Sequence, residues 1–216
     1  MRRQSGMHVL VMAKSPRPGK VKTRLCPPCS PHEAASIAEA ALRDTLEAVA
    51  RSRADRRIVA LDGAPGPWLP PGFEVVDQCD GSFDRRLAHA WTEAGGPGVQ
   101  IGMDTPQITP GLLNQALLTL DSTGTDSVLG GAVDGGWWAI GLRAPSPAVF
   151  LGVPMSTSRT CAHQLARLDA LGLAVRRLPM LRDLDTFEDA LNHAAHHPST
   201  RTAALIRSLA VRMALR

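Results

Sequence analysis

Residues 8–25 read HVLVMAKSPRPGKVKTRL, an apolar stretch that runs directly into a basic one. The apolar part, His8–Ala13, predicts a short strand, and the prolines and glycine that follow predict a loop. All three lysines of the chain, Lys14, Lys20 and Lys22, lie in this loop, while every other basic side chain is an arginine or a histidine. Because an ammonium and a guanidinium meet phosphate differently, this retention of lysine favours a phosphate-rich ligand over a merely solvated basic loop.

The rest of the sequence alternates strand and helix patterns. The predicted strands cover Arg57–Leu61, Phe73–Val76, Val99–Gly102, Ser127–Gly130, Trp137–Leu142 and Ala174–Leu178. The predicted helices cover Ala34–Arg53, Phe83–Glu93, Pro110–Leu120, Arg159–Leu171 and the tail from Phe187 onward. Residues 30–33, which read SPHE, predict an N-cap for the first of them, with proline at the first helical position and an acid in the first turn. This order predicts an α/β fold, a three-layer sandwich with a mainly parallel central sheet, in which ligands bind at the carboxyl ends of the strands. We expect one domain over residues 7–216, with residues 1–6 disordered or a non-native start.

Composition narrows the class of protein and the kind of partner. No apolar run approaches the roughly 20 residues that cross a bilayer, and Met7–Ala13 is too short for the core of a signal peptide. We therefore expect a cytoplasmic protein with no membrane partner. The net charge of +4 is modest, and no arginine-rich stripe is interleaved with aromatic residues, so a nucleic-acid partner is not expected. The positive excess fits a small acidic substrate as well as a polyanion.

The cysteines and histidines predict no metal or redox centre. Cys26 and Cys29 flank two prolines and have no second close pair, so a stiff loop with reduced thiols is favoured over a zinc or redox site. His193, His196 and His197 lie in an alanine-rich helical stretch, which favours a solvated helix face.

An aspartate ends the predicted middle strand, in the segment Gly102-Met103-Asp104-Thr105-Pro106. A carboxylate at that position can hold Mg²⁺ against phosphate oxygens, because this ion prefers oxygen ligands. The alternative is an Asp that only opens the turn before Pro106.

A second acidic segment follows the last predicted strand and reads RDLDTFED over residues 182–189. Thr186 predicts a helix N-cap with Asp189 three residues on, so Asp185 and Asp189 can be purely structural. Asp183 is freer to act as a second metal ligand, and two carboxylates after different strands would hold a cation between them.

A glycine-rich segment reads GGAVDGGWW over residues 130–138. Its glycines let the backbone around Asp134 approach a ligand closely, whereas the alternative is a hairpin with Asp-Gly at its tip. The residues leave both interpretations open.

Together and in this order, these segments resemble the small DUF2064-type transferases of the GT-A-like (Rossmann-like) nucleotide-diphospho-sugar transferase superfamily, often found near radical-SAM, selenium- or arsenic-associated genes. The resemblance rests on AKxPxPGxxKTRL at Ala13–Leu25, on GxDxP, on the DGG block and on DxDTxED, and it extends from Val9 to about Asp189. The KTRL part is also similar to that of phospholactate and phosphoenolpyruvate guanylyltransferases, in which the basic loop binds the nucleoside triphosphate and aspartates hold Mg²⁺.

The resemblance and the motifs together imply a set of site residues. The implied nucleotide contacts are Ala13, Lys14, Arg17, Gly19, Lys20, Lys22, Arg24 and Arg86, with Lys20, Arg24 and Asp104 as catalytic residues. The implied metal ligands are Asp104 and Asp183, for Mg²⁺ or Mn²⁺. The implied acceptor contacts are Asp134, Gly135, Gly136 and Trp137.

Three segments depart from the family pattern. Trp137 and Trp138 stand where tyrosines are usual, and Met155-Ser156-Thr157 stands where Trp-Ser-Thr is usual. Residues 82–86 read SFDRR in place of DLGxR, so that only Arg86 matches. These departures concern the acceptor more than the nucleotide.

Three functions remain to be compared. The leading hypothesis is a Mg²⁺-dependent nucleotidyltransferase that joins an NMP from an NTP to a small phosphate- or phosphonate-bearing acceptor and releases pyrophosphate, because clustered cations suit a triphosphate. The runner-up is a glycosyltransferase that uses an NDP-sugar, and the third is a catalytically silent nucleotide-binding module. The sequence leaves open whether the chain acts as a monomer or a homodimer.

Overall fold

The computed structural model describes residues 6–215 and contains one seven-stranded sheet between helices. The strands are β1 (His8–Lys14), β2 (Arg56–Asp62), β3 (Glu74–Asp77), β4 (Gly98–Gly102), β5 (Ser127–Ala132), β6 (Trp137–Leu142) and β7 (Val175–Leu181). The α-helices are α1 (Pro31–Ala50), α2 (Phe83–Ala94), α3 (Pro110–Asp121), α4 (Thr160–Ala170), α5 (Phe187–His196) and α6 (Arg201–Ala214). The expectation that residues 1–6 are disordered or a non-native start concerns residues that lie largely outside the described range.

The strand order across the sheet is β3-β2-β1-β4-β6-β5-β7. Strand β6 runs antiparallel to both of its neighbours, β4 and β5, and the other four strand pairs are parallel. The predicted α/β fold with a mainly parallel sheet is therefore confirmed. The carboxyl ends of β1, β4, β5 and β7 meet at one edge, where ligands of open α/β sheets bind.

The two faces of the sheet bury separate apolar clusters, as alternation along β1 requires. Val9 and Val11 face the cluster that includes α1 and α3, whereas Leu10 and Met12 face the one that includes α2. A third cluster joins α1 to α5 and α6 through residues such as Ile206. The sheet is thus covered on both faces, and the C-terminal helices extend the layer on the α1 side.

Local signals account for several element boundaries. Ser30 and Glu33 form a reciprocal capping box at the start of α1, with Pro31 at the first helical position, as the N-cap pattern at residues 30–33 predicts. Thr186 and Asp189 form the predicted cap of α5. Strand β7 continues through Pro179, which is tolerated because β7 lies at the edge of the sheet.

The histidine stretch of α5 differs from the expected solvated face. His193 is buried and its Nε2 lies 2.9 Å from Thr200 Oγ1, while His196 is exposed. The helix packs against α6, so one side of the histidine stretch faces protein rather than water. Among residues 6–215, no helix combines the length and the apolar character needed to cross a membrane.

His8 makes the stability of the fold sensitive to acid. Its ring is fully buried against Trp91, with the two ring centroids 5.2 Å apart, and Gly98 leaves the space that the ring fills. Burial, assisted by the nearby Arg56 guanidinium, lowers the pKa of His8 from 6.5 to about 4, although Glu74 partly opposes the change. The folded protein therefore holds this ring neutral at a pH where the unfolded chain protonates it.

We predict that replacing His8 by leucine flattens the pH dependence of stability. As the pH falls from 6.5 toward about 4, the unfolded chain binds a proton that the native protein does not, so the free energy of unfolding decreases. The full loss from this one group is about 3 kcal/mol. Urea titrations at several pH values measure it, with the exposed His32→Gln variant as the matched control; equal slopes for wild type and His8→Leu would refute the assignment.

Candidate functional site

A cavity of about 670 Å³ opens at the carboxyl ends of the strands. Its basic side chains come from the end of β1 and the loop after it, and its acidic ones from the segments after β4, β5 and β7. The basic residues are Lys14, Lys20, Lys22 and Arg24, and the acidic ones are Asp104, Asp134, Asp183 and Asp185. Segments distant in sequence thus place opposite charges in a single cavity.

Lys22 is buried at the centre of this arrangement. Its side chain is 6% exposed, and its Nζ lies 2.6 Å from Asp104 Oδ1 and 3.1 Å from Asp185 Oδ1. The same ammonium donates to the carbonyl oxygen of Leu184. Burial would lower the pKa of Lys22, but the two carboxylates outweigh burial and raise it above its usual value. The ammonium has three acceptors for its three protons.

Lys22 lines the cavity, and its predicted phosphate contact stays a prediction. In this structure the ammonium protons meet three protein acceptors, so Lys22 joins the loop after β1 to the ends of β4 and β7. Its backbone is left-handed, with φ of 48°, as is that of Ser156, with φ of 58°. These two are the non-glycine residues of positive φ in the described range, and both line the cavity.

Lys20 and Arg24 are the cations of the loop after β1 that line the cavity and remain accessible. Lys20 is exposed, and the Arg24 side chain is 75% exposed with Asp185 as a distant partner at 3.5 Å. Lys14 is half-buried and lies 3.4 Å from Asp62. All three line the cavity, which fits the predicted phosphate contacts.

Other predicted nucleotide contacts lie outside the cavity lining. The Ala13 carbonyl accepts a hydrogen bond from Gln78, and Arg17 and Gly19 are exposed in the turn that Gly19 makes with φ of 72°. Arg86 donates to Gln78 Oε1 through Nε at 2.9 Å and to Asp62 Oδ2 at 3.0 Å. Arg86 therefore supports the ends of β1 and β2, rather than pointing a free guanidinium at the cavity.

Asp183 is the most perturbed carboxyl group of the cavity. Burial, together with the charges of Asp104 and Asp134, raises its pKa to about 6, against the lowering effects of a 2.7 Å hydrogen bond from Thr105 and of Lys22. A hard cation such as Mg²⁺, which prefers oxygen ligands, would offset the repulsion between Asp183 and Asp104. Asp104 and Asp183 therefore fit the metal ligands that the sequence predicts.

The protein by itself does not supply a complete metal cage. Within the range 6–215, no three His, Cys, Asp or Glu side chains converge closely enough to hold a metal ion. Mg²⁺ is commonly held by one or two carboxylates together with phosphate oxygens of a substrate and water, so two protein ligands suit an ion that arrives with a nucleotide.

The DGG segment is both a hairpin and part of the cavity. It joins the antiparallel strands β5 and β6, and Asp134 Oδ1 accepts the amide hydrogen of Gly136 at 2.8 Å. Of the predicted acceptor contacts, Asp134, Gly136 and Trp137 line the cavity. Gly135 does not: its φ is 89°, and a Cβ there would overlap the carbonyl of Ser158, so this glycine lets the hairpin pack on the segment before α4.

Several lining residues were not assigned from the sequence. They include Phe83, Thr105 and Asp185, together with four residues that carry hydroxyl groups, Ser156, Thr157, Ser158 and Thr160. In the sequence, the signal for this segment is the departure of Met155-Ser156-Thr157 from the family pattern. The sequence gives these hydroxyls no role, because neither spacing nor composition shows that α4 begins beside the β5–β6 hairpin.

The fold and the cavity define the chain as a GT-A-like α/β protein with a charged ligand site at the carboxyl edge of its sheet. Residues 37–157 match the family described as "Uncharacterized protein conserved in bacteria (DUF2064)". The chain belongs to this family. No curated protein matches the sequence.

Solved structures share the fold. A protein of Desulfovibrio desulfuricans G20, provisionally named a nucleotide-diphospho-sugar transferase, is 26% identical with a TM-score of 0.86 over 97% of both chains. A nucleotidyl transferase from Methanothermobacter is 15% identical, with a TM-score of 0.59 over 89% of this chain and 97% of that one. A cytidylyltransferase from Leptospira borgpetersenii is 13% identical, with a TM-score of 0.54 over 96% of this chain and 94% of that one. The last two are similar in fold alone.

We predict that Lys22→Met destabilises the protein by roughly 1–3 kcal/mol, because Asp104 and Asp185 lose the buried ammonium between them and must rehydrate. The measurement is the free energy of unfolding in urea at neutral pH. Lys14→Met is the matched control, since Lys14 is 44% exposed and pairs with a single carboxylate. If both variants lose the same small amount, the buried contact at Lys22 does not hold the three loops together.

Proposed function

We propose that the protein is a Mg²⁺-dependent nucleotidyltransferase, which transfers an NMP unit from an NTP to a small acceptor bearing a phosphate or phosphonate. The observation that supports it is one cavity in which the accessible cations Lys20 and Arg24 stand beside the carboxylates Asp104 and Asp183. The named activities of the Methanothermobacter and Leptospira proteins are consistent with this proposal.

In the proposed reaction, an acceptor oxygen attacks the α-phosphorus of the NTP. The new phosphorus–oxygen bond forms as the bond between the α-phosphorus and the oxygen that bridges it to the β-phosphorus breaks. The electron pair of the broken bond leaves with pyrophosphate. Lys20 and Arg24 would contact the β- and γ-phosphates and stabilise the charge of the leaving group. Such a reaction needs mainly positioning and charge neutralisation from the protein, which these side chains can supply.

Asp104 and Asp183 would hold the divalent cation, Mg²⁺ or Mn²⁺. When bound, the ion would neutralise and orient phosphate oxygens of the substrate. Lys22 would keep Asp104 at a fixed position, because its ammonium occupies one carboxylate oxygen and leaves the other accessible; the Asp104 side chain is 44% exposed.

The acceptor would bind on the side of the cavity formed by Asp134, Gly136 and Trp137. The hydroxyl-bearing residues Ser156 and Ser158 line the cavity as well. Hydroxyls and backbone amides can donate hydrogen bonds to an anionic oxygen of the acceptor, and they do so without carrying a full positive charge. This distribution of donors supports a small acidic acceptor beside the more strongly charged nucleotide site.

A glycosyltransferase that uses an NDP-sugar is the second candidate. It is favoured by the name of the Desulfovibrio protein, whose chain superimposes over nearly its full length. The same cavity would then hold a diphosphate, with Asp104 near the metal and Asp134 near the sugar or acceptor.

A thermal-shift screen of ATP, GTP, CTP, UTP and several UDP- and GDP-sugars, each with and without Mg²⁺, separates these functions. A ligand of the native state raises the melting temperature by mass action. The proposal expects a Mg²⁺-dependent shift with a triphosphate, followed by pyrophosphate release once phosphate- or phosphonate-bearing acceptors are added. Shifts confined to NDP-sugars favour glycosyl transfer, and triphosphate binding without turnover under any acceptor and metal favours a silent module.

We predict that Asp104→Asn reduces metal-dependent turnover by about 100-fold or more, because a neutral amide of the same shape is a poor ligand for Mg²⁺. Pyrophosphate release at saturating nucleotide measures it. Asp185→Asn is the matched control, since it also removes a carboxylate partner of Lys22 but no proposed metal ligand. Equal losses in the two variants would mean that Asp104 acts only through Lys22.

We predict that Lys20→Ala weakens nucleoside triphosphate binding about tenfold without changing stability, because an exposed cation contributes a charge-assisted hydrogen bond to ligand and little to folding. Calorimetric titration measures the affinity. Arg17→Ala is the control, as Arg17 lies in the same exposed loop but outside the cavity lining. Unchanged affinity in Lys20→Ala, or an equal loss in Arg17→Ala, would place the phosphates elsewhere.

A further inference from the structure

Phe83 exposes an aromatic ring to the cavity that holds the four basic and four acidic side chains. Its side chain is 41% exposed and lines the cavity at the first residue of α2. Among the aromatic side chains of residues 6–215, the remaining Phe and Trp residues are buried or half-buried. Leaving such a ring in water forgoes the free energy that its burial would yield, which points to a ligand that covers it.

The ring is carried by a fixed element. The amide hydrogen of Arg86 bonds to the Ser82 carbonyl at 3.0 Å, which closes the first turn of α2. In the same turn, Asp84 Oδ2 accepts the amide hydrogen of Gly152 at 2.8 Å, so the turn is tied to the segment after β6. The exposure of Phe83 therefore belongs to the folded arrangement and not to a fraying helix end.

Arg86 supports the ring from the protein side. Its guanidinium carbon lies 6.0 Å from the centroid of the Phe83 ring, within the range of a cation–π contact. The guanidinium is itself held by Gln78 and Asp62. The result is a rigid aromatic surface at the ends of β1, β2 and β3, with the ammonium of Lys14 also lining this part of the cavity.

The order of the strands gives the two ends of the cavity different chemistry. Phe83 follows β3 and Lys14 ends β1, on one half of the sheet, and Asp104 follows β4 in the middle. Asp134 follows β5 on the other half, where the hydroxyl-bearing residues Ser156, Thr157 and Ser158 before α4 also line the cavity. A triphosphate held near Asp104 by Lys20 and Arg24 must direct its nucleoside toward one of these halves.

We propose that Phe83 is the stacking surface for the nucleobase of the nucleotide, so that the base lies on the β3–β2–β1 half and the acceptor on the β6–β5–β7 half. This inference rests on the proposed function for the presence of a nucleotide. A planar aromatic base gains from stacking on an aromatic ring. On the opposite half the cavity-lining ring of Trp137 is half-buried against the cluster that includes α2, so Phe83 offers the more exposed ring. Stacking selects for a nucleobase as a class rather than for one base.

The test compares Phe83→Leu and Phe83→Trp with wild type by calorimetric titration of CTP, GTP, ATP and UTP in Mg²⁺, and of inorganic tripolyphosphate as a ligand without a base. Stacking of one base on an aromatic side chain contributes roughly 1–3 kcal/mol, so Phe83→Leu should lower the affinity for the bound nucleotide about tenfold or more. The affinity for tripolyphosphate should stay unchanged, and Phe83→Trp should retain nucleotide affinity. Melting temperatures confirm that each variant is folded.

Four results would overturn the inference. They are unchanged nucleotide affinity in Phe83→Leu, an equal loss of tripolyphosphate affinity, a loss of base-dependent affinity in Trp137→Leu but not in Phe83→Leu, and no triphosphate binding by wild type. The first three leave nucleotidyl transfer standing, because wild type still binds the nucleotide. Conversely, base binding that depends on Phe83 without any pyrophosphate release overturns nucleotidyl transfer and supports the stacking surface.

Discussion

The buried ammonium of Lys22 is the contact on which the geometry of the cavity depends. It joins the loop after β1 to Asp104 after β4 and to Asp185 and Leu184 after β7. A backbone hydrogen bond of 2.8 Å from the Leu184 amide to the Asp104 carbonyl reinforces the same junction. Because three segments distant in sequence meet at one charge, the position of Asp183 beside Asp104 follows from this junction.

This junction also gives the basic residues of the cavity different roles. Once Lys22 is committed to protein acceptors, Lys20 and Arg24 are left as accessible cations on the wall beside the carboxylates. Asp183, Asp104 and Asp134 in turn keep an excess of negative charge that the buried lysine only partly offsets. A ligand that carries both phosphates and a divalent cation complements the two walls together, which a phosphate or a metal ion alone does not.

Features set by neighbouring residues could be predicted from the sequence, and features set by distant contacts could not. The α/β alternation, the caps at Ser30 and Thr186 and the placement of Asp104 at a strand end depend on local pattern, and the structure agrees with them. The burial of Lys22 depends on partners 82 to 163 positions away in the chain. In the sequence Lys22 is therefore indistinguishable from Lys20.

The roles of the site residues themselves stay predictions, and a crystal structure with a non-hydrolysable NTP analogue and Mn²⁺ tests them most directly. The account predicts an anomalous manganese signal between Asp104 and Asp183, with the triphosphate against Lys20 and Arg24 and the Lys22 ammonium still bound to Asp104. Manganese at another site, or a triphosphate that displaces Lys22 from its carboxylates, would contradict the arrangement on which the proposed function rests.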